Sequence, residues 1–195
     1  ADPLNQRAIF EEAGFFQVQF GQLWNGHPCC SFAIAEQFIT RYPGSFAAML
    51  RAALKGSAYS RGTTNRREIA RKIAGPNYLN QPEIVVRQAL TGRFADGLGN
   101  VVEIPDRVEF NPIPWHSMAI WMLTQLQRWG YVKGHVDYRQ LAEQVFLLTD
   151  ARKAMQQLGQ AFPEQPYSRF DVMGKPFDAG RPEAYLNAFP VRRGA

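Results

Sequence analysis

His27-Pro28-Cys29-Cys30-Ser31 gathers the residue types best suited to covalent or soft-metal chemistry in this 195-residue chain. A thiolate beside an imidazole can serve as a nucleophile or a soft-metal ligand. Pro28 separates the imidazole from the thiols, and the other histidines, His116 and His135, stand far along the chain. No acidic residue in the segment would orient the ring. Cys29 and Cys30 are the chain's two cysteines, too few for a four-thiolate zinc site. Adjacent cysteines bridge only through a strained ring, so an ordinary structural disulfide is not expected. The favoured expectation is that both pack as small hydrophobes at the end of a strand, without metal. Lining a ligand site ranks second and catalysis third.

Three further groups invite chemistry. His116 falls in the first turn of a helix expected from Trp115 to Trp129, where its ring could meet an anion beside free backbone N–H groups. A partly buried ring is the more ordinary expectation. Trp115, Trp121 and Trp129 could form a stacking platform, but aromatics at helical spacing more commonly face a core. Asp96-Gly97-Leu98-Gly99-Asn100 has the look of a phosphate or calcium loop. It lacks both the Gly-Lys-Ser/Thr and the alternating acids those loops need, and it reads as a glycine-rich turn.

The elements that must position these residues are mostly helical. Residues 17–20 and 30–34 alternate enough to predict two short strands, joined by the turn Asn25-Gly26-His27-Pro28. Pro43 opens a helix with Phe46, Leu50, Ala53 and Leu54 on one face. Asn65 with Glu68, and Asn80 with Glu83, read as capping boxes for two more helices, ended by Gly75-Pro76 and by Gly92. Residues 93–114, with their glycines and prolines, read as loop. The helix from Trp115 to Trp129 places Met118, Trp121, Met122, Gln125 and Trp129 on one face, and Gly130 stops it. Asp137 with Gln140 starts another helix, and Asp150 caps a last one that runs to Leu158. Residues 1–160 form the main part of the fold. Residues 161–195 read as an extended Pro, Gly and aromatic tail that wraps the domain or is partly disordered.

Composition narrows the function. Hydrophobic residues make up 46% and charged residues 20%, globular rather than disordered values. No apolar run approaches the roughly 20 residues that a membrane-spanning helix needs. The net charge of +5 favours anionic partners. The densest basic groups, Arg66-Arg67 and Arg71-Lys72, read as a solvated helix face, and no nucleic-acid module is recognisable. No nucleic-acid partner and no cofactor are expected. The first seven residues lack the basic start and apolar stretch of a secretory signal. That fits either a cytoplasmic chain or an internal piece of a longer one.

The run Pro114-Trp115-His116-Ser117, continuing through Trp121-Met122-Leu123-Thr124-Gln125 to Arg128-Trp129-Gly130-Tyr131, resembles the nitrate/bicarbonate-type ABC-transporter substrate-binding family. Asn77-Tyr78-Leu79-Asn80-Gln81, Leu90-Thr91-Gly92-Arg93-Phe94, Gly97-Leu98-Gly99, Asp137-Tyr138 and Glu143-Gln144-Val145 match the same pattern, over roughly residues 3–158. Cytoplasmic nitrate sensors that control antitermination look similar. The resemblance implies an α/β, helix-rich chain that is part of a two-lobed, type II periplasmic-binding-protein-like fold, here its carboxy-terminal half. It implies a small oxyanion ligand (nitrate, nitrite or bicarbonate) and no catalysis. Its implied partners are an ABC permease or an antitermination regulator, together with the missing amino-terminal lobe. The implied compartment is the bacterial periplasm, with the cytoplasm as alternative. His27, Cys29 and Cys30 stand at the ligand-binding stretch, where transport members place a charged residue. Two alternatives accompany this reading: a regulatory interaction lobe without a ligand, and an enzyme similar to thiamine-pyrimidine synthases, which carry a cysteine cluster near this place.

Overall fold

The computed structural model describes residues 2–189 and divides into two compact units. The first comprises Ala1–Ile34 and Ala52–Pro112, the second Ala35–Arg51 and Ile113–Ala195.

The first unit is built on helix pairing. Helix α1 spans Leu4–Phe10 and α2 is a single turn, Phe20–Leu23. In the second unit α3 spans Glu36–Arg41, and α4, Pro43–Arg61, begins there and ends in the first unit. A 3-10 turn, Thr63–Asn65, leads into α5 (Arg66–Ile73), which packs on α6 (Glu83–Thr91). Ala70, Ala74, Val86 and Leu90 are the buried contact, closed by Ile69, Ile73 and Phe110. Small alanines on α5 let the two helices approach closely, so the larger Val86 and Leu90 fill the groove. The expected capping boxes are absent. Asn65 turns its amide to the Tyr59 carbonyl at 2.9 Å, and Glu68 accepts from the Tyr59 hydroxyl and pairs with Lys72. Asn80 has a positive φ of 49°, and α6 starts instead after Pro82. Gly92 does end α6, at φ 71°, where a Cβ would lie 1.9 Å from the Ile104 carbonyl oxygen. Only glycine fits there.

Residues 93–114, expected as loop, contain an antiparallel hairpin of β1 (Arg93–Ala95) and β2 (Val101–Glu103), with Phe94 opposite Val102. Three-residue strands carry too short an alternation to stand out beside the glycines of their turn. The strands expected at residues 17–20 and 30–34 are not formed: Phe20 opens α2, and residues 30–34 are irregular. A strand exists through its neighbour's hydrogen bonds, and among the described residues β1 pairs with β2 and β3 with β4, leaving none for these segments.

The second unit carries the strongest helix of the sequence as α7, His116–Arg128, bounded by Trp115 and Trp129. Its buried face is not the expected one. His116, Ser117, Ala119, Ile120 and Thr124 are buried, whereas Met118, Trp121, Met122 and Gln125 are half-buried and Trp129 is exposed. Ser117, Ala119 and Thr124 on the buried side are small and permit the closest approach of the helix's neighbours. Helix α8, Tyr138–Val145, starts as expected, its Asp137 carboxylate accepting from the Gln140 N–H at 2.9 Å. Helix α9, Leu148–Gln157, begins two residues before Asp150, which lies in its first turn.

Beyond Phe162, where the sequence suggests an extended tail, the chain forms a hairpin of β3 (Phe170–Val172) and β4 (Lys175–Phe177), then α10 (Pro182–Asn187). Phe177 and Tyr185 belong to the buried cluster with Ala119, Ile120, Val136, Tyr138 and Ala142. Phe170, Phe177, Tyr185 and Phe189 form a chain of rings 5.0–5.2 Å apart. Phe177 and Tyr185 are thus core anchors, with Tyr167, Phe170 and Phe189 packed against them. Residues 190–195 of that tail lie outside the described residues.

Candidate functional site

The His27–Cys30 segment is an accessible loop that leaves the turn of α2. Trp24 anchors it, buried in the first unit, and its carbonyl accepts the His27 N–H at 3.2 Å. Gly26 makes the reversal at φ 71°. The His27 ring lies 5.5 Å from the Phe20 ring, tilted by 37°. Pro28 then fixes one backbone dihedral before the thiols. Cys29 and Cys30 are free and exposed, with their Sγ atoms 3.7 Å apart. The expected burial of both thiols as core hydrophobes is therefore incorrect. Without a strand at residues 30–34, nothing carries them inward. Although Cys29 is exposed, partial desolvation of its sulfur and then the adjacent Cys30 thiol raise its pKa above the ordinary thiol value. The thiol form prevails at neutral pH. The arrangement offers two adjacent thiols and a nearby imidazole in an open loop. Among the described residues no three of His, Cys, Asp and Glu gather as a metal site.

The other candidates are occupied. At the start of α7 the His116 N–H donates to the Pro166 carbonyl at 3.1 Å, and the Met118 N–H to Trp115 at 3.0 Å. The His116 ring uses Nε2 toward the Phe146 carbonyl at 3.3 Å and lies edge-on to Tyr167. Ser117 exchanges hydrogen bonds with Ser168. The segment 166–168 covers this helix end and takes the place an anion would need. The Asp96–Asn100 turn is likewise closed on itself: the Asp96 carboxylate accepts from the Leu98 N–H at 2.7 Å, the Asn100 N–H at 3.1 Å and the Asn100 side chain at 2.8 Å. A groove of about 500 Å³ beside it is lined by Ile9, Glu12, Gly14, Gly97 and Asn100 among others. No cationic side chain lines it, and Glu12 disfavours an anion.

The basic residues divide as the sequence did not suggest. Arg67, Arg71 and Lys72 are exposed, in keeping with a solvated helix face, but Arg66 is buried. Its guanidinium donates to the carbonyls of Ser60, Leu90, Pro105 and Val108 at 2.8–3.2 Å. Arg107 is the second buried cation, paired with Asp2 at 2.6 Å, bonded to Gln6 and set over Phe16 and Phe94. Both guanidiniums hold loops in place and are engaged by protein groups. One hint to Arg66 was available: a cation in the first turn of a helix opposes the dipole and needs another partner. Nothing in the sequence singles out Arg107.

Comparison with known proteins places this geometry in context. The family model described as NMT1-like matches residues 1–74, a stretch that includes the thiol loop. The bicarbonate transport ATP-binding protein CmpC of Synechococcus elongatus is 30% identical over 98% of this chain and 29% of its own length. The nitrate/nitrite binding protein NrtA of Nostoc is 26% identical over 98% of this chain and 46% of its own length. The crystal structure of the periplasmic nitrate-binding protein NrtA from Synechocystis superposes with a TM-score of 0.92 at 20% identity, over 98% of this chain and 52% of that one. The fold is therefore that of a periplasmic-binding protein, helix-rich α/β, as the resemblance implied. The chain spans about half the length of the binding proteins it matches and under a third of the ATP-binding ones.

Proposed function

We propose that the chain, which is similar to nitrate- and bicarbonate-type substrate-binding proteins, supplies the carboxy-terminal part of an oxyanion-binding unit serving uptake or sensing rather than catalysis. The observation that carries this reading is the superposition of nearly the whole chain on half of a nitrate-binding protein. Closure of two lobes on a small anion would give a population shift that a permease or regulator reads. In this reading the His27–Cys30 loop is the chain's contribution beside the ligand, and most anion contacts come from the amino-terminal lobe. The bacterial periplasm is the proposed compartment. Among the described residues no helix is long and apolar enough to cross a membrane.

Calorimetric titration tests the proposal. The chain alone should bind nitrate, nitrite or bicarbonate no tighter than about millimolar, since each missing charge-assisted hydrogen bond removes about 1.5–3 kcal/mol. Joined to the amino-terminal half of NrtA, it should bind one of them at least roughly tenfold tighter, about 1.4 kcal/mol. Micromolar binding by the chain alone would overturn the shared pocket. A folded chimera that binds none of the three would overturn the oxyanion reading.

A second reading draws on the match to transport ATP-binding proteins. There the chain would act as a regulatory lobe on the transporter's ATPase side. An ATPase rate that responds to the added chain in the absence of any anion would favour it.

A further inference from the structure

The two adjacent thiols have a geometry that suits a single bridging atom better than a bond between them. A disulfide needs its sulfurs about 2.05 Å apart, and Cys29 and Cys30 hold theirs at 3.7 Å. Two bonds of about 2.3 Å, the length of a metal–thiolate bond, meeting near the tetrahedral angle separate their outer atoms by roughly 3.7 Å. Inserting one atom also enlarges the strained eight-membered ring of a vicinal disulfide to nine members. The donor set then selects the atom. Zinc calls for four ligands, and among the described residues no third His, Cys, Asp or Glu completes a cluster with the thiols. A linear two-coordinate ion would hold the sulfurs farther apart. A trivalent, pyramidal centre with bonds to sulfur of similar length is satisfied by two thiols and one hydroxide. Both thiols are exposed and free, so the reagent can reach them.

We propose that Cys29 and Cys30 form a chelating dithiol site for trivalent arsenic hydroxide, a neutral oxyacid. This takes from the preceding section only that the loop faces a ligand, and it does not depend on nitrate or bicarbonate. The reaction is a condensation. Two S–H bonds and two As–OH bonds break, two As–S bonds form, and the protons leave with the hydroxides as two waters. Arsenic stays trivalent, sulfur is neither oxidised nor reduced, and no other reactant is required.

The experiment is intact-mass spectrometry of the full chain, kept reduced with a phosphine and mixed with arsenous acid. A single adduct is expected, heavier by one As–OH less two hydrogens, stable through gel filtration and reversed by a small dithiol. Cys29→Ser and Cys30→Ser should each weaken uptake by roughly 10²-fold or more, the loss that follows when two-point attachment becomes one-point. Circular dichroism checks that these exposed substitutions leave the fold intact. If either variant misfolds, alkylation of the folded wild-type thiols must abolish uptake instead. Absence of an adduct at millimolar arsenous acid, undiminished uptake in a single variant, or uptake after alkylation would each overturn the proposal. Nitrate titration of the NrtA chimera with and without Cys29→Ser reads the oxyanion reading separately, so either can fail alone.

Discussion

The two units reach a stable interior by opposite means. In the first, two buried guanidiniums gather loop carbonyls and an aspartate around themselves, beside a small helix–helix contact. In the second, a run of aromatic rings from Phe170 to Phe189 closes over α7 and α8, with Trp121 donating to the Tyr185 hydroxyl at 3.2 Å. The first interior depends on geometry: a carbonyl that loses its donor, Leu90 above all, is left without its charged partner. The second depends on area and volume, and degrades in proportion to what is removed. The difference is one of tolerance. A polar anchor fails with a single side chain, whereas an aromatic cluster fails when a segment goes.

The largest expected effect tests the aromatic side. Truncation after Gln160 removes Phe177 and Tyr185 from the core. The second unit should lose its cooperative thermal transition, and binding of a hydrophobic dye should rise. An unchanged melting curve would show that the hairpin and α10 are dispensable. Next comes the polar anchor. Arg66→Ala should cost about 3–5 kcal/mol in chemical denaturation, because one buried and three partly buried carbonyls lose a charged donor together. Arg66→Lys should recover less than half of that loss, since one ammonium cannot span the fork of acceptors. A lysine variant as stable as wild type would reduce Arg66 to a mere charge.

Smaller effects separate the turns. The Asp96 carboxyl lies below the usual carboxylate range, first through the Asn100 side chain and then through the Leu98 N–H. Asp178 is lowered by the Gly180 N–H and Arg181. A depressed folded pKa contributes stability above the unfolded value of about 3.9, and that contribution is lost as pH falls through the folded value. Asp96→Ala should therefore flatten part of the decline in melting temperature between about pH 5 and pH 2. Asp178→Ala should do the same in the second unit. A steeper acid decline in either variant would contradict the sign. The smallest change is expected at the thiols. Replacing both Cys29 and Cys30 by Ser should alter stability by no more than about 0.5 kcal/mol, the range of an exposed site. Buried thiols would have cost about 1–3 kcal/mol through unsatisfied hydroxyls. Stoichiometric iron or zinc in the purified protein, lost in that double variant, would revive the enzyme alternative.

Much of the helical scaffold was legible because its signals are local. The Asp137–Gln140 cap, the stop at Gly92 and the span of α7 each involve residues a few positions apart. The two strands expected around the thiol loop failed because pairing needs a neighbour that no local alternation provides. The candidate site suffered for the same reason: the turn that holds His27 was readable, whereas the loop conformation and exposure of Cys29 and Cys30 were not.

By itself the sequence determined the helix-rich class, the span of α7, the start of α8 and the stop of α6. These depend on residue type and short spacing, which capping and backbone sterics convert directly into structure. Tertiary structure alone decided which face of α7 is buried, which arginines are interior, and that residues 170–187 complete a core. Those outcomes depend on partners tens of residues away: Arg66 meets Pro105 and Val108, Arg107 meets Asp2, and Trp121 meets Tyr185. Burial is a property of the assembled neighbours, and a residue's type limits it without choosing it.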